Sequence, residues 1–384
     1  MQTTITLEHY PPVPMHFNFN ERELELRKAA FEAGIICYTL SFEECWKIAA
    51  TQGLVGCVVP AEYGGPGLNA IETAASLEGF SEGCKDGGFT FSLAAHLMAG
   101  VIPVVKNASS EIKKRILPQV VNDNYILANA MTEAGSGSNA FGMKTTAKAD
   151  GDQFILNGSK IFCTNASIAN GILVYALTDE TKGFFGGITC FLLEKDKHAY
   201  KCGKPVLKNG LHSSPLSEVF LDNIPVSKEN IIGKIGSGVM IFLESMNWER
   251  VVMSAMHAGT MDRLCTISRD YVKTRLQGEK ALEKHQAVQF RIAEMYLQTE
   301  ISKLLAYRAA KMIDAGTDVT AAAAKAKIFS SEALNAVAKE ALILHGANGF
   351  TDDYGIGKII ADAQAALIYS GPNDVLRNLV ASRL

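Results

Sequence analysis

The hydrophobic period of this chain changes twice, and that double change limits the fold more than any single motif. From about residue 20 to 122 apolar positions recur at helical spacing, as in "NERELELRKAAFEAGII" and "SSEIKKRILPQVV", broken by a turn-rich "PAEYGGPGL". From about 124 to 232 the period drops to two. "KTTAKADGDQFILNGSKIFCTN" alternates around an "ADGD" turn and an "NG" turn, as paired antiparallel strands do. "GILVYALT", "ITCFLLEK" and "SEVFLDNIPV" continue as apolar strand runs. From about 236 the pattern is helical again, in three long segments ending near "ALILHG". The expected fold class is α+β: a loose arm (1–19), a helical domain (20–123), a central antiparallel β domain (124–234) and a C-terminal helical bundle (235–384).

Composition narrows the function. A net charge of −3 without a basic segment offers no grip on nucleic acid or an anionic membrane. The apolar stretch "FSLAAHLMAGVIPVV" reads as too short and too interrupted for a membrane span. The start, "MQTTITLEHYPPVPMHF", lacks the features of a signal peptide, and Met15 is an alternative start. Eight cysteines without a C-x-x-C pair suit buried free thiols in a reducing cytoplasm. H-E-x-x-H, P-loop and G-x-S-x-G motifs are all missing, which leaves no signal for zinc, nucleotide-phosphate or serine-hydrolase chemistry.

The chemistry-bearing segment is "ANAMTEAGSGSNAFGMKTTA", residues 128–147. Small residues at 134–138 let backbone N–H groups turn toward an acceptor, and the hydroxyls of Thr132 and Ser138 add donors. Alone, such a loop reads first as a plain surface turn, and it is no G-x-G-x-x-G. "NGSKIFCTNA" follows, then long helices with "HGANGF" and "YSGPND". In this order and spacing these segments resemble the acyl-CoA dehydrogenase flavoproteins along nearly the whole chain, least well at 34–46.

The resemblance implies a helical N-terminal domain, a central β-barrel or sandwich, a C-terminal four-helix bundle, a homotetramer (or dimer) and FAD held between domains. Met131 and Thr132 would lie on the flavin ring, Ser138 near the pyrophosphate or substrate, and Phe162, in place of the usual tryptophan, beside the ring. Thr164 would sit near flavin N5, and Arg275 would cross to a neighbouring subunit's pyrophosphate. Pro372 and Asp374 stand where the family has a threonine and a glutamine that touch FAD. Gly278-Glu279, Ile343 and Ala347 also depart from the family pattern, which weakens the inter-subunit half of the cofactor site.

The family's usual catalytic glutamate is replaced by Ser370. A hydroxyl is too weak a base to take a thioester α-proton, although its backbone N–H can serve the thioester oxygen. In a minority of the family the base comes instead from the helix holding "ESMNWERVVMSAM", and Glu249 matches that position. Its neighbours Trp248, Val251, Val252 and Met253 are apolar, and desolvation there raises a carboxyl pKa toward neutrality. Glu244 is the rival, but five residues at about 100° each put it on another face.

"SMNWER", "IYSGPND" and "FSLAAHLMAGVIP" are similar to the subgroup that oxidises L-prolyl groups on a carrier protein, in pathways to pyrrole-containing and anatoxin-type products. The implied substrate is a prolyl thioester on a phosphopantetheine arm, with O2 or a protein as electron acceptor and a pyrroline or pyrrole as product. His96 reads as a pocket residue or as a satisfied core histidine, and Arg250 as a pantetheine or ribityl contact or a surface salt bridge. The rival functions are a short- or branched-chain acyl-CoA dehydrogenase, a flavin monooxygenase and a nucleic-acid-binding relative.

Overall fold

The computed structural model describes residues 19–37, 40–122, 125–139 and 142–383, so nearly all of the expected N-terminal arm, including Met15, lies outside the described residues. Helices α1 (Glu21–Ile36), α2 (Phe42–Thr51) and α3 (Ala70–Gly83) each start with a capping box: Asn20/Glu23, Ser41/Glu44 and Asn69/Glu72. Each box satisfies two orphan N–H groups and fixes where the helix begins. The sequence of α3, "AIETAASLEGFSEG", is rich in small residues and almost wholly buried, because α1 and the long helix of the C-terminal part both pack on it.

Helix α4 (Gly87–Ala95) runs through a π-helical turn (His96–Val101) into α5 (Ile102–Asn107), and α6 (Ser110–Val121) completes this part. Because the π turn keeps the chain helical, Gly87–Asn107 is 21 residues long and apolar enough to cross a membrane by length and composition. The sequence reading as too short is corrected here. The apolar window is nevertheless 89% buried inside the protein, the pattern of a core helix.

The middle part is one sheet, β1 (Leu127–Ala130), β2 (Thr146–Asp150), β3 (Gln153–Thr164), β4 (Gly171–Leu177), β5 (Ile188–Glu194), β6 (Lys201–Cys202), β7 (Leu216–Ser227) and β8 (Ile231–Ile232). Its order is β6-β7-β3-β2-β4-β5-β8, with β1 also on β4. The expectation of an antiparallel sheet needs correction, since β4 pairs in parallel with both β1 and β2. The β2–β3 hairpin stands between β1 and β4 in the chain, so those strands return in the same sense; alternation reveals strands but not direction. The "ADGD" turn forms, with Asp150 opposite Gln153.

The "NG" turn does not form. β3 continues through Asn157–Gly158, with a register shift against β7 there. Gly158 is needed for another reason: at φ +147 a Cβ would lie 2.5 Å from Thr145 Oγ1. β4 and β5 are buried on both faces, one side facing the helical core (Leu173, Tyr175, Leu192) and the other the sheet's own core (Ile172, Val174, Phe191). That double burial accounts for their unbroken apolar runs.

The C-terminal part holds α7 (Gly238–Thr274), a ribbon of β9 (Leu276–Gln277) and β10 (Lys280–Ala281), α8 (Gln286–Asp314), α9 (Thr320–His345), the single turn α10 (Ala347–Phe350), α11 (Ile356–Ala366) and α12 (Asn373–Ala381). The three long helices pack on one another, and the shorter α11 and α12 lie on α9. A buried polar network locks α3 to them. Glu78 is fully buried and takes Arg27 Nε at 2.8 Å, Lys303 Nζ at 3.2 Å and the Tyr307 hydroxyl at 2.5 Å. Every oxygen of that carboxylate is occupied, which makes its burial tolerable.

Candidate active site

The candidate residues fall into two groups, one from the sheet and one from the C-terminal helices. On the sheet side Met131, Thr132 and Glu133 follow β1 and are tied to β3. Ile161 N–H donates to the Thr132 carbonyl at 2.8 Å, and the buried Lys160 Nζ donates to the Met131 carbonyl at 3.1 Å and to Glu133 Oε1 at 2.8 Å. Burial pushes the Glu133 carboxyl up, but hydrogen bonds from Lys160, Thr145 and Lys144 N–H outweigh it and hold the group below the ordinary carboxylate range. Nothing in the local sequence signals this buried Lys160–Glu133 pair.

β3 bulges between Lys160 and Cys163, and Phe162 stands out of the bulge at φ +54 with 61% exposure. A bulky residue in the left-handed region is strained, and bulges re-aim side chains beside functional sites. Thr164 ends the same strand, paired with Leu216. Ser138 is exposed on the loop, whereas Ser136 Oγ is buried without a partner among the described residues. Gly135 and Gly137 have open space where a Cβ would stand. An exposed, strained aromatic beside Thr164 and Met131, and a small-residue loop with an orphaned hydroxyl, fit a flat ring system with a polar tail.

On the helical side Glu249 is 7% exposed, within a shell of Trp248, Val251, Val252 and Met253 that is also buried. Ser370 Oγ donates to Glu249 Oε1 at 2.5 Å. Ser370 lies in the left-handed region at φ +55, which is what lets its hydroxyl reach back to α7. Desolvation raises the Glu249 pKa, and the Ser370 hydrogen bond, Arg250 and Lys327 oppose that rise. Glu244, the rival, is 41% exposed at its side chain and turned toward α5, 3.3 Å from Asn107 Nδ2 and 3.9 Å from Lys106 Nζ.

Arg250 is neither a surface salt bridge nor free to reach outward. It is buried, and its guanidinium donates to the Ser370 carbonyl at 3.0 Å and to Asn247 Oδ1 at 3.3 Å. Burial lowers its pKa to about 10. His96 is a further correction as a substrate residue. It is fully buried, Nδ1 accepts Leu127 N–H at 2.9 Å, and Nε2 lies 3.1 Å from the Val55 carbonyl, so both ring nitrogens are committed to backbone. Accepting at Nδ1 fixes the tautomer with the proton on Nε2. Burial lowers its pKa to about 4.

Arg275 caps α7 on the exposed surface, with its carbonyl accepting Leu282 N–H at 2.8 Å. Gly278-Glu279 form the turn between β9 and β10. Pro372 precedes α12, and Asp374 faces outward, paired with Arg377 at 3.1 Å.

Below Glu249, Met256, Thr260 and Arg263 follow at steps of 7, 4 and 3 residues on the same face of α7. With Phe91, His257 and Tyr369 they line a cavity of about 50 Å³. That is room for roughly three to five waters. The Phe91 and Tyr369 rings are 4.7 Å apart, and the Tyr369 hydroxyl meets His257 Nε2 at 2.5 Å. Burial pushes His257 down to about 3, so it is neutral.

Known proteins extend this picture. Family models of acyl-CoA dehydrogenase match in three consecutive pieces: the N-terminal domain at residues 18–124, the middle domain at 128–224 and the C-terminal domain at 236–384. The chain belongs to the acyl-CoA dehydrogenase family. It is 34% identical over 380 residues to an L-prolyl-[peptidyl-carrier protein] dehydrogenase of Serratia sp. (strain ATCC 39006), across 96% of this chain and 98% of that protein. The crystal structure of the prolyl acyl carrier protein oxidase AnaB superposes with a TM-score of 0.92 at 32% identity, covering 95% of this chain and 99% of that one. A structure of PigA with FAD and proline gives 0.92 at 33%, covering 96% and 99%.

Proposed function

We propose that this chain is an FAD-dependent dehydrogenase or oxidase of an L-prolyl thioester carried by an acyl or peptidyl carrier protein, with Glu249 as its base. The carrying observation is the 2.5 Å contact between Glu249 and Ser370: the carboxylate, supplied by α7, reaches the loop position where the family usually places its base. When bound, FAD would supply the two-electron oxidant. Met131, Thr132, Phe162 and Thr164 would hold its ring and the 134–138 loop its phosphates.

Glu249 takes the α-proton of the thioester; burial has raised its basicity for that task. Ser370 N–H donates to no protein acceptor among the described residues and is available for the thioester oxygen. Free cysteines agree with a cytoplasmic setting. Phe290, Leu297 and Leu304 form an exposed apolar stripe at seven-residue steps on α8, which supports self-association through that helix; a monomer in sedimentation velocity would refute it.

The deciding experiment incubates the flavin-loaded protein with prolyl-loaded carrier protein and, in parallel, with isovaleryl-CoA. Loss of two or four hydrogens from the prolyl group by mass spectrometry is the expected result. Turnover of the CoA ester alone would move the assignment to a branched-chain acyl-CoA dehydrogenase. Glu249→Gln should lower turnover about 10²–10⁴-fold, whereas a flavin monooxygenase activity would survive that change.

A further inference from the structure

We infer that Lys327 is a positioning residue for this reaction, fixing from α9 the Ser370–Gly371 turn that aims the Glu249 carboxylate; the inference rests on Glu249 being the base. Lys327 is fully buried. Its Nζ donates to the Gly371 carbonyl at 2.9 Å and to Asn373 Oδ1 at 2.8 Å, and it makes no ion pair among the described residues. Asn373 is itself held, donating to Ser331 Oγ at 3.0 Å and Glu332 Oε1 at 3.1 Å.

From the opposite side Arg250 holds the Ser370 carbonyl. Two successive carbonyls are thus gripped by two buried nitrogen donors from different helices. The residues between them, Ser370 at φ +55 and Gly371 at φ +97, both lie in the left-handed region. Such a turn relaxes unless its surroundings over-determine it. If it relaxed, Ser370 Oγ would leave Glu249, and the thioester oxygen would lose a donor of fixed place. A lysine buried only to fill space would be replaced at lower cost by methionine, since a buried amine carries a large desolvation penalty.

The charged and titratable groups around the amine are Glu249, Arg250 and His257 from α7, Glu332 from its own helix and Tyr369, whose ring centroid is 5.9 Å away. Lys327→Met in the full-length, flavin-loaded protein tests the assignment on prolyl-loaded carrier protein. The expected result is a kcat about 30- to 100-fold lower with KM changed less than about threefold, because misaligned groups cost the transition state more than the ground state. Bound flavin, read by absorbance, should be unchanged, and the acid limb of kcat/KM should move to higher pH as Glu249 loses a nearby cation.

A Met variant with wild-type kcat and an unmoved acid limb overturns the inference. Should that variant not fold, Asn373→Ala is read instead: it removes one of the two Nζ anchors and should lower kcat about fivefold, and an unchanged kcat there also overturns it. Glu249→Gln separates the two claims. If it is inactive while Lys327→Met is silent, only the role of Lys327 falls; if it is active, the base itself is misassigned.

Discussion

Replacing Ser370 by alanine isolates the one side-chain hydrogen bond to Glu249, the proposed base, among the described residues. In the structure the hydroxyl donates to Glu249 Oε1 at 2.5 Å in a buried site, and it opposes the rise in pKa that desolvation imposes. A hydrogen bond to an ionised partner contributes about 1.5–3 kcal/mol. Its loss falls almost entirely on the carboxylate form, so Glu249 becomes still harder to ionise. The folded-state pKa of Glu249 already lies above its unfolded value, so its contribution to stability is complete below the unfolded pKa and is lost as pH rises through the folded pKa.

Ser370→Ala extends that loss to higher pH. The variant should melt close to wild type in acid, where both chains carry a protonated Glu249, and clearly lower at pH 8. In the assay kcat/KM, measured on the acid side of its profile, should fall about 10- to 100-fold, the same free energy read as an ionised fraction. The fall should shrink as pH rises past the limb. Ser370→Gly should share the kinetic defect and recover about 1 kcal/mol of stability, because glycine tolerates φ +55 without the Cβ penalty. A Ser370→Ala profile that superimposes on wild type, or moves to lower pH, would refute the reasoning.

His96→Ala should leave turnover near wild type and cost about 2–5 kcal/mol of stability, since it strands the Leu127 N–H and the Val55 carbonyl in the core; chemical denaturation with a kinetic control separates the two effects. Lys160→Met should cost about 3–5 kcal/mol by leaving Glu133 buried and unpaired. It should also loosen flavin, because the Met131 carbonyl loses its anchor, and the fluorescence of released flavin on dilution reports that. Gly158→Ala should lower the melting temperature through its contact with Thr145 at φ +147 without moving KM, a combination that fails if the residue is only a turn.

The order of helical, strand and helical parts was legible because period 3.6 and period 2 are written directly into which residues are apolar; Glu249 was picked out by the resemblance to the family's alternative base position, and helical angles only set Glu244 on another face. Strand direction was not legible: alternation is the same whichever way a strand runs, so the parallel β1–β4 pairing had to be seen. The role of "NG" was misread because a glycine is demanded by a close approach as readily as by a turn, and only the position of Thr145 tells which. His96 could be read either as a pocket residue or as a satisfied core histidine, because sequence shows a histidine's type and not its partners; the structure decides for the core.

Amino-acid type and spacing by themselves determined the α–β–α plan and the apolar neighbours of Glu249, since these depend on residues close by in the chain. Tertiary structure alone decided that Arg250 and Lys327 grip Ser370 and Gly371, that Lys160 answers Glu133, and that His96 is spent on backbone. Those contacts join groups 27 to 120 residues apart in the chain. A buried charge looks the same in a sequence as a solvated one; what it costs and what it does are set only by what the fold packs against it.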